Sequence, residues 1–122
     1  MKFYNGQEEL KGLLFMKSMM SMNNVKKQAI IEIGYAKRVG INCEAVAIDD
    51  SASSSVDRQP MRDLVETIEG GKYDVLVVED IYDITSEPED LRVMIDRING
   101  MGVLIFDLGI MGLRFNNYEI GC

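Results

Sequence analysis

Histidine and tryptophan are absent from the 122 residues, and cysteine occurs only twice. Without histidine the chain lacks the commonest general base and the commonest nitrogen ligand for metals. The two thiols, Cys43 and Cys122, are too few for a disulfide framework, so a reducing, cytoplasmic setting is expected. No run of about 18 apolar residues is present to span a membrane, and the N-terminus shows no secretory signal.

Positive charge is also scarce. Twenty acidic side chains against thirteen basic ones give a formal charge of −7. Proteins that grip duplex DNA neutralise its phosphates with Lys and Arg, so DNA binding by this chain alone is expected to be weak or absent. An apolar content of 47% is nevertheless typical of a folded globular domain. No linker or repeat is visible, and a single domain over residues 1–122 is expected.

Apolar residues alternate between strand-like and helix-like spacing along the chain. Short apolar runs predict strands at residues 11–16, 43–48, 75–78 and 103–106, with residues 113–118 as a candidate edge strand. Apolar spacing of three and four predicts helices over residues 25–39, 61–68 and 91–98. This alternation predicts a three-layer α/β/α domain with a mostly parallel sheet of four or five strands.

Two helices carry further signals. The last helix is expected to begin with Ser86 as its N-cap, with Pro88 in the first turn and Glu89 three residues after the cap. The first helix is expected to end before Gly40. Its predicted apolar stripe consists of Val25, Ala29, Ile30, Ile33, Ala36 and Val39.

Residues 49–106 carry a more specific pattern. The pattern begins with an acid and continues with a Ser-rich loop, the pair Asp57-Arg58, a helix and the strand at 75–78. The turn IYDITS then leads to another helix and a Gly-Val strand. This order resembles the catalytic domain of the serine recombinases, the resolvase/invertase family. The resemblance implies a resolvase-like fold with the strand at 11–16 in the centre of the sheet, flanked by the strands at 43–48 and 75–78.

The resemblance also implies where a recombinase site would lie. The family pattern Y-x-R-V-S, followed by a Gln, places Gln28 at the Gln, Lys17 at the Arg and Met19 at the nucleophilic Ser. A thioether has no proton to lose and cannot serve as that nucleophile. A slip of one residue would make Ser18 the nucleophile instead, and Ser21 is a more distant alternative.

Further positions match the loop and the turn. Asp50 or its neighbour Asp49 matches the family's loop acid, Ser53 its loop serine, and Arg58 its second arginine. Without such partners, Arg58 would be an ordinary residue at a helix start, paired with Asp57. The family's Asp, Arg and Arg of the turn are replaced here by Tyr82, Asp83 and Ser86.

The turn changes the electrostatics of the implied site. Residues 79–90 contain six carboxylates and no basic side chain. Two unit charges ~6 Å apart interact by roughly 3 kcal/mol at an effective dielectric near 20. Replacing Arg by Asp next to a phosphate therefore turns attraction into repulsion of similar size and lowers a phosphoryl-transfer rate by orders of magnitude.

A non-catalytic, serine-recombinase-like module for protein interaction or regulation is the function expected, derived from a mobile element. Its expected partner is a second copy or an active recombinase, with no cofactor and no metal. One alternative is a recombinase catalytic-domain fragment that uses Ser18, since neither the family's dimerisation helix nor its DNA-binding domain is visible. The other is a Mg²⁺-dependent, phosphate-handling enzyme that uses the acidic rim formed by Asp49, Asp50, Glu79 and Asp80.

Overall fold

Residues 9–116 are described by a computed structural model. Five strands form one sheet: β1 Leu10–Lys17, β2 Ile41–Asp49, β3 Val75–Val78, β4 Leu104–Asp107 and β5 Gly112–Leu113. Three helices cover it, α1 Met22–Arg38, α2 Gln59–Glu69 and α3 Pro88–Gly100, and a 3₁₀ turn spans Ile81–Asp83. The strand order is β2-β1-β3-β4-β5, parallel except for the β4–β5 pair. The predicted α/β fold and the placement of β1 between β2 and β3 are confirmed, although β3 and not β1 is the middle strand of the five.

Each face of the sheet has its own apolar core. Leu13 and Phe15 of β1 point to one face, where α2 and α3 pack with the expected stripes Met61, Leu64, Val65, Ile68 and Leu91, Met94, Ile95, Ile98. Leu14 and Met16 point to the other face, where α1 packs. The four residues of β3 are fully buried because both of its faces are covered.

An irregularity in β2 determines which face the end of that strand uses. The β1–β2 register shifts between Gly12 and Leu13, so that Glu44 is an extra residue in β2. Ile41 and Cys43, before the bulge, join the core under α1, whereas Ala45 and Ala47, after it, pack in the core under α2 and α3. Since an extra residue reverses the facing of all that follows, Asp49 points toward the start of α2.

The stripe predicted for α1 was partly wrong. Val25, Ala29 and Ala36 are buried as expected, but Ile30 is 70% exposed and Val39 is 47% exposed. The fourth buried residue of the helix is Glu32. The buried positions follow a spacing of four, three and four, which defines one helix face, and the apolar identity of Ile30 led to the wrong face.

Two boundary predictions were also wrong. The N-cap of α3 is Glu87 and not Ser86, because Pro88 has a fixed φ and no N–H and therefore occupies the first helical position. The edge strand is the two-residue β5, Gly112–Leu113, and residues 117–118 of the predicted strand lie outside the described residues. Within residues 9–116, every helix is too short or too polar to cross a bilayer.

Candidate functional site

A buried ion pair lies at the carboxyl end of β2. Asp49 is completely buried, and its Oδ2 accepts a hydrogen bond of 2.8 Å from Nε of Arg58, the residue that precedes α2. Oδ1 of Asp49 accepts hydrogen bonds from the amide and the hydroxyl of Ser51, at 2.9 and 2.6 Å. Of the two candidate loop acids, Asp49 therefore contacts Arg58, and Asp50 is exposed.

The Arg58 guanidinium also holds two loops together. Nη1 donates to the carbonyls of Ser55 and Ile84, at 2.6 and 2.7 Å, and Nη2 donates to the carbonyl of Asp83 at 2.9 Å. Four of its five N–H donors thus have protein acceptors. The pairing with Asp57 expected for an ordinary helix-start residue is not formed, since Asp57 pairs with Arg62 instead.

Lys17, the second cation of the site, has a similar set of partners. Its Nζ donates to the carbonyls of Ser51 and Ser53, at 2.7 and 2.8 Å, and lies 3.7 Å from Oδ2 of Asp49. Ser53, the candidate loop serine, is exposed and accepts a hydrogen bond from the Ser55 amide with its hydroxyl. The two cations at the carboxyl ends of β1 and β2 are therefore turned toward Asp49 and the loop backbone.

The ionisation of Asp49 follows from these contacts. Burial by itself raises the pKa of this carboxyl, but the hydrogen bonds from Ser51 and Arg58 and the positive charge of Arg58 outweigh burial, and the pKa is lowered. Asp49 is consequently the anionic centre of the cluster and satisfies the charge of Arg58. Both oxygens of this carboxylate accept hydrogen bonds, and its lowered pKa makes Asp49 a weak general base.

A cavity of about 300 Å³ adjoins this cluster and is lined by Lys17, Ser18, Met19, Ser51, Ala52 and Asp83. Met19, at the position that matches the nucleophile, is 72% exposed. The Ser18 hydroxyl accepts a hydrogen bond of 3.1 Å from the Met20 amide. Ser21 caps α1 by accepting from the Asn24 amide, which accounts for its presence structurally.

The predicted position Gln28 lies on α1 and contacts a residue that the sequence did not single out. Its Nε2 donates to Oε2 of Glu32 at 2.8 Å. Glu32 is 2% exposed, and its Oε1 has no hydrogen-bond partner among the described residues. Burial raises the pKa of Glu32, and Glu79 raises it further, despite the hydrogen bond from Gln28. The sequence signal for this buried acid was the position of Glu32, which lies at core spacing between Ala29 and Ala36.

The turn after β3 carries Asp83 and Ser86 at the two positions that the resemblance assigns to arginine. Asp83 is partly buried, and its pKa is raised from 3.8 to about 6 by burial first and then by the negative charges of Asp80, Glu79 and Glu32. Tyr82 is 57% exposed. Ser86 is exposed as well, and its hydroxyl contacts that of Ser54 at 3.2 Å.

The four acids considered as a magnesium site are not brought together as ligands. Both oxygens of Asp49 are engaged by Ser51 and Arg58. Across the part of the chain that the structure describes, no group of three or more acidic or sulfur side chains is arranged to hold a metal ion. A larger groove of about 610 Å³ lies between α2 and α3 and is lined in part by Asp57 and Arg62, but Lys17, Asp49, Arg58 and Asp83 do not line it.

Solved structures with this architecture were found by comparison. The N-terminal catalytic domain of TP901-1 integrase has a TM-score of 0.68 at 14% identity, with 84% of this chain and 80% of that chain covered. The C-terminal catalytic domain of ISC1926 TnpA, an IS607-like serine recombinase, has a TM-score of 0.69 at 18% identity, with 81% and 70% covered.

A third neighbour is a resolvase family site-specific recombinase from Streptococcus pneumoniae. Its TM-score is 0.65 at 12% identity, with 92% of this chain and 80% of that chain covered. The chain has the fold of a serine-recombinase catalytic domain. No protein-family model matches the sequence, and no curated protein matches it. The fold alone leaves the activity open, because unrelated functions use the same scaffold; the resolvase-like site has to be judged by its residues.

Proposed function

We propose that this chain is a non-catalytic, serine-recombinase-like module that acts through protein contacts. The observation that carries the proposal is the engagement of Lys17 and Arg58, whose donors are directed to Asp49 and to five loop carbonyls. A cation that stabilises a phosphoryl transition state needs donors aimed at the phosphate oxygens. Among residues 9–116, acceptors are present for all but one of the five N–H groups of Arg58.

The remaining positions of the implied site add no compensating charge. Met19 replaces the nucleophile, and Tyr82, Asp83 and Ser86 stand at the acid and arginine positions of the turn. Asp83 places negative charge next to the cavity that would receive a phosphate. A phosphodiester approaching Ser18 would therefore be repelled rather than held.

Surface apolarity supports a role in protein binding. The loop before α1 and the helix itself expose large apolar side chains, namely Met19, Met20, Met22, Ile30, Ile31 and Tyr35. Met side chains adapt to differently shaped partners, and clustered apolar exposure is typical of interaction surfaces. A second copy of the chain or an active recombinase is the partner that the resolvase-like fold favours, and a mobile element is the proposed origin.

A recombinase fragment that uses Ser18 is the second candidate, because the Ser18 side chain lines the same cavity as Lys17. Incubation with supercoiled plasmid separates the two functions. The non-catalytic proposal predicts no nicking, no topoisomers and no covalent protein–DNA adduct, with identical results for the wild type and for Ser18→Ala. Nicking or an adduct in the wild type that Ser18→Ala abolishes would establish the recombinase fragment instead.

A further inference from the structure

The solvent side of α1 is apolar at its centre and basic toward its ends. Opposite the buried stripe, a second stripe with the same spacing of four, three and four faces solvent and consists of Lys27, Ile31, Gly34 and Arg38. Ile30 and Tyr35 flank this stripe and are 70% and 44% exposed. A Cβ added at Gly34 would have no atom within 4 Å, so the backbone there is open to close approach by another helix. These six residues are called the α1 face.

Positive charge predominates on this helix, although the chain as a whole is acidic. The single acid of α1, Glu32, lies on the buried side. Among residues 9–116, only one basic side chain of the helix has an ion-pair partner, and that is Lys37, which pairs with Glu9. The exposed cations of α1 are Lys26, Lys27, Lys37 and Arg38.

The groove between α2 and α3, called the α2–α3 groove, has the opposite character. Its volume is about 610 Å³, and the buried side chains of Met61, Val65 and Met94 give it an apolar floor. Val93 adds an apolar side chain that is 64% exposed. Five acidic and two basic side chains also line the groove. The two arginines each pair with an acid, and the lining acids left without an ion pair among the described residues are Asp63, Glu66 and Asp90.

The two surfaces match in length but cannot meet within one molecule. The distance along α1 from Lys27 to Arg38 is about 16 Å at a rise of 1.5 Å per residue, and the eleven residues of α2 span about the same length. However, α1 covers one face of the sheet, whereas α2 and α3 cover the other. A contact between them therefore requires two copies of the chain.

We propose that the α1 face of one copy docks in the α2–α3 groove of a second copy, so that copies associate head to tail. This inference rests on the proposed protein-binding function and specifies the partner and both surfaces. Docking removes the apolar centres of the two surfaces from water and brings Lys27 and Arg38 against the unpaired acids of the groove. Because the two surfaces differ, the contact does not close at two copies, and further copies can add.

Sedimentation equilibrium of the full chain with a reductant present measures this association. One helix in a groove between two helices makes a small interface, so a dissociation constant above about 10 μM is expected. The average mass should rise over a range from about 10 μM to about 1 mM and should pass twice the mass of one chain. A monomer at every concentration, or a mass that levels off at a dimer, would overturn the head-to-tail contact.

Charge reversal on each surface identifies the contact. Lys27→Glu with Arg38→Glu should weaken association at least tenfold, and Asp63→Lys with Glu66→Lys should do the same, because each pair leaves like charges facing each other. The first pair makes the net charge more negative by four and the second less negative by four, so general repulsion between copies cannot account for both losses. All four substitutions together keep the net charge at −7 and should restore association.

Two further samples complete the test. An equimolar mixture of the two double variants should associate, because each α1 face then meets a groove of opposite charge. Glu44→Lys with Asp50→Lys, exposed on β2 and in the loop after it, is the matched control and should leave association unchanged. Urea midpoints show whether each variant is folded, and the neutral pair Asp63→Asn with Glu66→Gln replaces a reversal that is not; it should still weaken association.

Association that neither reversal affects, or losses that neither the fourfold variant nor the mixture restores, would overturn the proposal. Either result would assign the α1 face and the α2–α3 groove to contacts other than with each other. Failure here would leave the absence of DNA cleavage unaffected. Cleavage by Ser18 would in turn leave the association unchanged, so the two proposals fail separately.

Discussion

Arg58 and Asp49 form an ion pair in which Nε lies 2.8 Å from Oδ2, and neither side chain is more than 4% exposed. The pair joins the end of β2 to the start of α2, and the same guanidinium binds the carbonyls of the turn after β3. In the implied recombinase site this arginine would face the scissile phosphate. Here its contacts make it a structural cross-link between three segments.

Replacing Arg58 by Ala should lower the free energy of unfolding by about 3–5 kcal/mol, because the completely buried Asp49 would lose its charge partner. Arg58→Lys should recover only part of this, since an ammonium cannot reproduce the fork of hydrogen bonds. Urea denaturation measures both changes. Arg62→Ala is the control: its pair with Asp57 is exposed, and a loss below about 1 kcal/mol is expected. Equal losses at the two arginines would contradict the structural role.

The bulge in β2 provides a second prediction. A Cβ on Gly12 would lie 2.6 Å from Cγ2 of Ile41, so Gly12→Ala should destabilise the protein by about 1–3 kcal/mol through overpacking. At Gly34 in α1 an added Cβ would have no neighbouring atom within 4 Å, and Gly34→Ala should stabilise the helix by up to about 1 kcal/mol. The melting temperature is expected to fall for Gly12→Ala and to rise for Gly34→Ala. An unchanged melting temperature for Gly12→Ala would show that the contact between β1 and β2 has room for an additional methyl group.

Asp83 should make stability fall as pH rises. Its pKa is about 6 in the folded protein and 3.8 ordinarily, so between these values the folded state holds a proton that the unfolded state releases. The stabilisation is complete below about pH 4 and is lost as pH rises through about 6. At pH 7.5, Asp83→Asn should raise the free energy of unfolding by about 1 kcal/mol. This is less than the free energy equivalent to the whole pKa shift, because solvent screens the charge of a partly buried group.

Denaturation of the wild type and of Asp83→Asn from pH 4 to 7.5 checks this linkage. The difference in unfolding free energy should grow mainly between pH 4 and 6.5 and then level off. Asp96→Asn, exposed on α3, is the matched control and should follow the wild type at every pH. A pH-independent difference for Asp83→Asn would mean that this carboxyl is not perturbed by its neighbours.

The turn residues should limit DNA affinity. Tyr82→Arg, Asp83→Arg and Ser86→Arg together remove one carboxylate and add three guanidinium groups beside the cavity. The wild type should bind a duplex no tighter than about 1 μM near 150 mM salt, within the nonspecific range. The triple variant should bind at least tenfold tighter with a steeper salt dependence, as fluorescence anisotropy can measure. Glu66→Arg and Asp96→Arg together, on the surfaces of α2 and α3, raise the net charge by the same four units and control for it.

The sequence was most informative where apolar spacing was unambiguous. The four-position stripes of α2 and α3 and the continuous run of β3 all have the predicted burial. Spacing failed in α1, where Glu32 occupies a core position and Ile30 faces solvent. Polarity alone could not indicate that a carboxylate is buried, because the neutralising partners of an acid depend on tertiary contacts.

The site was only partly accessible from sequence. Its position at the strand ends and the involvement of Lys17 and Arg58 followed from the family resemblance. The choice of Asp49 over Asp50 depends on the bulge at Glu44, which reverses the facing of β2 and leaves no distinctive sequence signal. The direction of the Arg58 donors likewise depends on carbonyls of distant segments, such as those of Asp83 and Ile84.

The most direct test of a structural role for Arg58 is to follow the NMR resonance of its Nε–Hε group while duplex DNA is added near 150 mM salt. If Arg58 is committed to Asp49, this resonance should be protected from exchange with solvent and should not move as DNA is added. Asp49→Asn provides the reference state with a weakened pair, in which protection should fall. Saturable movement of the wild-type resonance at micromolar DNA would show that the guanidinium reaches phosphate, and would contradict a purely structural Arg58.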